Sequence, residues 1–159
     1  RDRSNEEADE AAFLTAYCYY LEAPKHSLDQ AYTYKAINEI QLFINTHPGS
    51  DKIDECNEYM EDLRSRLETK SYEIAYQYYR TRNYKAAITA FSTTLSEYPD
   101  TPHREDAMYY RAIAAYKLAD NSLEQLQEER YREARTALND FEVAFPLSQK
   151  LEDLKKMNP

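Results

Sequence analysis

Ser71–Thr101 reads SYEIAYQYYRTRNYKAAITAFSTTLSEYPDT, and its interrupted apolar stripe decides the fold. Ile74, Ala75 and Tyr78 share one face of a helix because they sit at i, i+1 and i+4. The stripe breaks at Arg80-Thr81-Arg82-Asn83, then resumes with Tyr84, Ala87, Ile88, Phe91 and Leu95 at helical spacing. A strand could not use that spacing, and a single helix would not need the break. Two amphipathic helices joined by a link of about four residues fold back on each other, each burying its stripe against its neighbour. Pro99 then ends the second helix, since its ring and missing N–H cannot continue the ladder.

The hairpin recurs along the chain. Ala36, Ile40 and Pro48 match Ala87, Phe91 and Pro99, and these match Ala134, Leu138 and Pro146. In each set the alanine stands twelve residues before the proline and the large apolar residue eight before it. His47, Tyr98 and Phe145 precede the three prolines. A small residue lets two helix backbones approach, and a large one fills the groove opposite. The first helices of the outer units also correspond: Ala16, Tyr20 and Ala23 echo Ala112, Tyr116 and Ala119, and Tyr131 falls at a packing position of the last unit. The middle unit follows the tetratricopeptide pattern, whose ordinary period is about 34 residues; here the array is stretched by insertions. The expectation is an all-α, tetratricopeptide-like α-solenoid of three helix pairs, a single domain over 1–159. Its repeats cover about 5–48, 51–101 and 103–146, with a C-terminal capping helix over about 148–157.

Two features account for the stretching. Ser27-Leu-Asp-Gln30 and Ser122-Leu-Glu-Gln125 read as capping boxes that start the second helices of the outer units early. Between the first and second units, Cys56, Tyr59, Met60, Leu63, Leu67, Ile74 and Tyr78 lie on one uninterrupted pattern. It predicts a single helix over about 51–81, about 46 Å long. Asp54 to Glu68, rich in charge, would overhang its partner and be largely solvated or contacted by something else.

Composition agrees with helices. The 159 residues include one Gly and six Pro, with 31% charged and 42% hydrophobic residues, whereas a sheet protein spends glycine and proline on many tight turns. A formal charge of −9 repels phosphate backbones and argues against nucleic acid as a partner. No apolar run is long enough to span a bilayer. The chain opens at Arg1, without an initiating Met or a signal peptide, and reads as a piece or processed form of a longer protein. Cys18 and Cys56 are too few for a disulfide framework or a zinc site, and read as buried small hydrophobes. His26, His47 and His103 are scattered, with no ligand partner at helical spacing, so no metal is expected. No nucleophile motif, phosphate-binding loop or paired carboxylates can be defended. The reading is a non-enzyme without cofactor.

Sixteen tyrosines invite a peptide-binding groove. Tyr20, Tyr78, Tyr84, Tyr116 and Tyr131 are assigned to repeat packing, while Tyr72, Tyr76 and Tyr79 fall off that set and become candidates for partner contact. Arg80, Arg82 and Lys85 cluster at a helix corner of an otherwise acidic chain, as a docking surface for an acidic partner would. The bland alternative is that cations near a helix C-terminus offset its dipole; the acidic run Glu6, Glu7, Asp9 and Glu10 at the first helix's start has the same explanation.

The long helix, the run from Tyr72 through Tyr84 and the YPDT closure, preceded by YKAINEIQLFINTHPGS, resemble the BamD family. These are tetratricopeptide lipoproteins of the outer-membrane β-barrel assembly machinery. The resemblance implies that the chain covers the C-terminal three of five repeats. It implies a scaffold that docks on the POTRA region of the barrel protein BamA, with other assembly subunits as further partners, and supports insertion of outer-membrane proteins. It also implies a periplasmic location, with attachment to the inner leaflet of the outer membrane through an N-terminal lipid anchor that is neither Cys18 nor Cys56. The family's docking arginine on the corresponding second helix falls at Ala90. The alternative is another tetratricopeptide adaptor that binds a linear peptide or partner protein in its concave groove.

Overall fold

The computed structural model describes residues 3–25 and 29–159. Among these residues there are seven helices and no strand: α1 (Arg3–Glu22), α2 (Ala31–Thr46), α3 (Ile53–Arg80), α4 (Tyr84–Glu97), α5 (Arg104–Asp120), α6 (Glu124–Ala144) and α7 (Leu151–Met157). The all-α, tetratricopeptide-like expectation is met. Two compact units divide within α3, at Lys70 and Ser71.

In the first unit α1 and α2 run antiparallel. Asp9 meets His47 at 2.5 Å, the Phe13 and Phe43 rings lie 5.9 Å apart, and Lys35 sits over the Tyr19 ring. The early part of α3 runs parallel to α1: Tyr59 stacks on Tyr20, the Tyr20 hydroxyl donates to Asp62, and Arg66 donates to the Ala23 carbonyl. Phe13, Ala16, Ala36, Ile40, Phe43, Cys56 and Leu63 form the core.

The second unit begins with the end of α3, which lies antiparallel to α4 through Ser71–Thr94 and Tyr79–Tyr84. α4 lies antiparallel to α5 through Tyr84–Lys117 and Phe91–Tyr110, and α5 to α6 through Tyr109–Phe141 and Tyr116–Tyr131. Ala75, Ala87, Ala107, Ala112, Ala114 and Ala134 are all fully buried, so alanine is what lets these helices approach closely. α7 closes this end with Leu151 and Leu154.

One corner is built three times. α2, α4 and α6 end on His47, Tyr98 and Phe145, with φ/ψ of −129/55°, −128/69° and −135/65°. The following proline drives each of these residues out of the helical region. Each still donates its N–H four residues back, to Phe43, Thr94 and Phe141. Ser50, Thr101 and Ser148 then each return an N–H to that residue's carbonyl. Their hydroxyls accept the N–H two residues on, at 3.1, 3.2 and 3.1 Å. Aromatic or His, Pro, any residue, Ser or Thr is therefore a single turn used three times.

The corner that opened the sequence reading has a different cause. The Asn83 N–H reaches the Tyr78 carbonyl at 2.9 Å and the Arg82 N–H reaches Tyr79 at 3.1 Å, the paired bonds of a Schellman motif. Its left-handed position is held by Arg82, at φ 64°. A side chain there costs about 1 kcal/mol or more. Arg82→Gly is therefore expected to raise stability by about 1 kcal/mol, measured by urea unfolding; an unchanged or lower midpoint would contradict the strain.

Several expectations are corrected. α3 spans 28 residues rather than the whole of 51–81. Of the two expectations for its early part, contact is the one met: Tyr59 and Asp62 meet Tyr20 of α1, and Cys56 and Leu63 are fully buried, Leu67 nearly so. Cys18 is exposed, not a buried hydrophobe. Ser122 does not cap α6: the helix starts at Glu124 after Leu123, and the Ser122 hydroxyl turns back to the Leu118 carbonyl at 2.5 Å and accepts from Arg130. Ser27 of the other box lies outside the described residues, as does His26. Gln30, assigned to return that box's bond, gives its amide to the Lys25 carbonyl at 2.7 Å and accepts the Thr33 hydroxyl.

Candidate docking surface

At the end of α3, helical spacing around Ala75 admits two faces, and the structure buries the one that the repeat register left over. Ile74 and Tyr78 are 46% and 40% exposed. Tyr72, Tyr76 and Tyr79, the candidates for partner contact, pack instead against the core of the second unit. Tyr72 stacks on His103 at 4.7 Å and leans on Phe91 at 5.9 Å. Tyr76 meets the edge of Tyr110 at 5.0 Å, and Tyr79 lies 4.9 Å from the same ring. Burial raises the Tyr72 phenol well above its ordinary range, helped by the charge of Asp106. Burial together with Tyr76 pushes Tyr110 up to about 12. Tyr72, Tyr76 and Tyr79 are thus partly buried, each with ring partners inside the second unit.

The cations divide differently. Arg80, Arg82 and Lys85 are all exposed. Arg82 and Lys85 border a surface hollow of about 450 Å³ together with Asn83, Tyr84, Lys117, Leu118 and Asn121; Arg80 is not among its lining residues. Lys117 comes from the last turn of α5 and was not singled out from the sequence. Its ammonium stands over the Tyr79 ring at 5.4 Å and the Tyr84 ring at 5.8 Å, an arrangement that holds a cation in place without neutralising it. Among the described residues none forms an ion pair with Arg80, Arg82, Lys85 or Lys117. The dipole explanation suits Arg80 and Lys117, which lie in last turns. It fails for Lys85, the second residue of α4, which sits at the positive end of a helix with no acidic residue in its first turn. Three cations thus line one concave patch in a chain of net charge −9.

The other singled-out positions divide by burial. Ala16, Ala36, Ile40, Ala75, Ala87, Phe91, Ala112, Tyr116, Ala134 and Leu138 are buried. Tyr20, Tyr84 and Tyr131 are partly buried, while Pro48, Pro99 and Pro146 stand on exposed corners. His47 pairs with Asp9 in the first unit, and His103 belongs to the tyrosine stack. Ala90, where the resemblance places a docking arginine, is partly buried against the core and carries no charge. No helix among the described residues is long and apolar enough to cross a membrane.

Residues 3–125 match the family YfiO, described as outer membrane lipoprotein. Over 112 residues the chain is 24% identical to the outer membrane protein assembly factor BamD of Caulobacter vibrioides, covering 70% of this chain and 36% of that protein. The chain therefore spans about a third of the length of the curated relative it matches. With the family matched across most of its length, the chain belongs to the YfiO family of outer membrane lipoproteins.

Proposed function

We propose that the protein is a non-catalytic scaffold subunit of the outer-membrane β-barrel assembly complex. It docks on the POTRA region of the barrel protein and supports insertion of outer-membrane proteins, in company with other assembly subunits. In this reading it works in the periplasm, attached to the inner leaflet of the outer membrane through an N-terminal lipid. Family membership and the relative's name as an assembly factor support the assembly role. The observation that carries the docking is the hollow walled by Arg82, Lys85 and Lys117, whose cations form no ion pair among the described residues and suit a carboxylate-bearing partner surface. The adaptor alternative, a tyrosine-lined peptide groove, has less support, since Tyr72, Tyr76 and Tyr79 pack in part against the core.

The test is a calorimetric titration of the full-length protein against the POTRA segment from the same organism. Binding at micromolar concentration is expected, weakening as salt is raised. Lys85→Glu should weaken it roughly tenfold, about 1.4 kcal/mol, because Lys85 is exposed and reversal sets like charges against each other. Absence of binding rejects the scaffold reading. Binding indifferent to salt and to Lys85→Glu rejects the cationic hollow while leaving the scaffold role standing.

A further inference from the structure

The inward-packed tyrosines of α3 form a ladder, and the ladder ends on a cation of the docking hollow. Tyr72, Tyr76 and Tyr79 follow at spacings of four and three, so their side chains are neighbours along one side of the helix. Ring centroids stand 6.0 Å apart from Tyr72 to Tyr76 and 5.9 Å from Tyr76 to Tyr79. The next step crosses the helix corner, 6.1 Å from Tyr79 to Tyr84. At one end Tyr72 stacks on His103. At the other, the Lys117 ammonium stands over both Tyr79 and Tyr84. Tyr110 braces the middle, 5.0 Å from Tyr76 and 4.9 Å from Tyr79. Lys117 therefore differs from the other two cations of the hollow. Arg82 and Lys85 are exposed, and among the described residues neither stands over an aromatic ring. A lysine free in water gives up rotamer freedom when it grips a partner, whereas one already held has little left to lose.

We propose that Tyr79 and Tyr84, braced by the rest of the ladder, are positioning residues that make Lys117 the anchor cation of the hollow. This role rests on the reading that the hollow docks an acidic partner surface. Lys117 meets a partner carboxylate at a fixed point, and Arg82 and Lys85 close on it from freer side chains. The ring faces hold the charge without neutralising it, so it stays available to the partner. A fixed cation suits a fixed anion, so the carboxylate that fits stands on a rigid element of the partner. The tyrosines of α3 then serve docking through Lys117 rather than by touching the partner themselves.

The test is the titration of the full-length protein against the POTRA segment, run as a double-mutant cycle. Lys117→Met keeps a long side chain over the rings and drops the charge. It should weaken binding roughly tenfold and make it less sensitive to salt. Tyr84→Leu should weaken binding about threefold with the salt sensitivity kept, because every charge remains. Tyr84→Phe, its ring face intact, should restore the affinity. In the Lys117→Met background Tyr84→Leu should have no further effect, since its influence passes through Lys117. Proton NMR of the free protein gives a readout that needs no partner. The Lys117 methylene beside the nitrogen should resonate upfield of the other lysines, under the ring currents of Tyr79 and Tyr84, and should move back in Tyr84→Leu. Lys117 resonating with the other lysines overturns the proposal. Absence of wild-type binding rejects the docking reading and this role with it, whereas binding with an additive cycle rejects the role alone.

Discussion

Phe91→Ala should cost the second unit about 3–5 kcal/mol, the range for a fully buried ring removed from a core. Phe91 has no exposed surface and lies between Tyr72 at 5.9 Å and Tyr110 at 6.4 Å. Its other core neighbours include Ala75, Ala87, Ala107 and Ala112. Alanines cannot extend to fill a void, and they hold helix backbones that would have to move as bodies, so the cavity persists. In a unit of this size the loss corresponds to a fall of more than about 10 °C in melting midpoint. Ile74→Ala supplies the contrast. Its side chain is 46% exposed, and the change should stay within about 0.5 kcal/mol. Thermal melts followed by circular dichroism decide between the two faces of α3. A negligible effect at Phe91 would mean that α4, and a large one at Ile74 that α3, is rotated from the position described.

The recurrence of the fold was legible because its cause is local. A proline forces the residue before it out of the helix, and a Ser or Thr two residues after it seats the next turn. Alanine followed four residues later by Ile40, Phe91 or Leu138 then marks the buried side in the three second helices. The rotation of α3 was not legible. Around Ala75 the chain carries Tyr72, Tyr76, Tyr78 and Tyr79, with an aromatic available on either side. Apolar periodicity cannot choose between faces that are equally aromatic. Tyr110 and His103, on and beside another helix, make the choice, and their position is a property of the assembled unit.

The cationic surface was half visible for the same reason. Arg82 and Lys85 stand three residues apart and declare themselves. Lys117 joins them only when α5 lies against α4, and nothing in its local context, KLAD, separates it from any last-turn lysine. One signal could have found it: Tyr79 and Tyr84 flank the corner, and paired tyrosines near a repeat boundary are ready acceptors for a cation from the following helix. The left-handed Arg82 was equally hidden, because an arginine does not advertise a position that glycine ordinarily fills.

High pH should unfold the second unit, because its phenols are held protonated. Tyr72 is raised by burial and by the charge of Asp106, Tyr110 is pushed up to about 12 by burial and Tyr76, and Tyr109 is raised chiefly by burial. Lys150 shifts upward too, through its hydrogen bond to Asp106. When the folded-state value lies above the unfolded one, the associated stability is fully present below the unfolded value and drains away as pH rises through the folded one. For the tyrosines the loss therefore begins near pH 10 and continues to about 12 at Tyr110. Tyr110 loses its contribution over that window, and Tyr72, more deeply shielded from ionisation, adds to the loss. Melting midpoints should be flat from neutrality to about pH 9 and then fall steeply. Phenolate absorbance should rise together with unfolding rather than ahead of it, and Tyr72→Phe with Tyr110→Phe should make the fall shallower. Phenolate appearing near pH 10 in a chain that stays folded would show that Tyr72 and Tyr110 are open to solvent, and would remove the ground for placing the α3 tyrosines in the core rather than at a partner's surface.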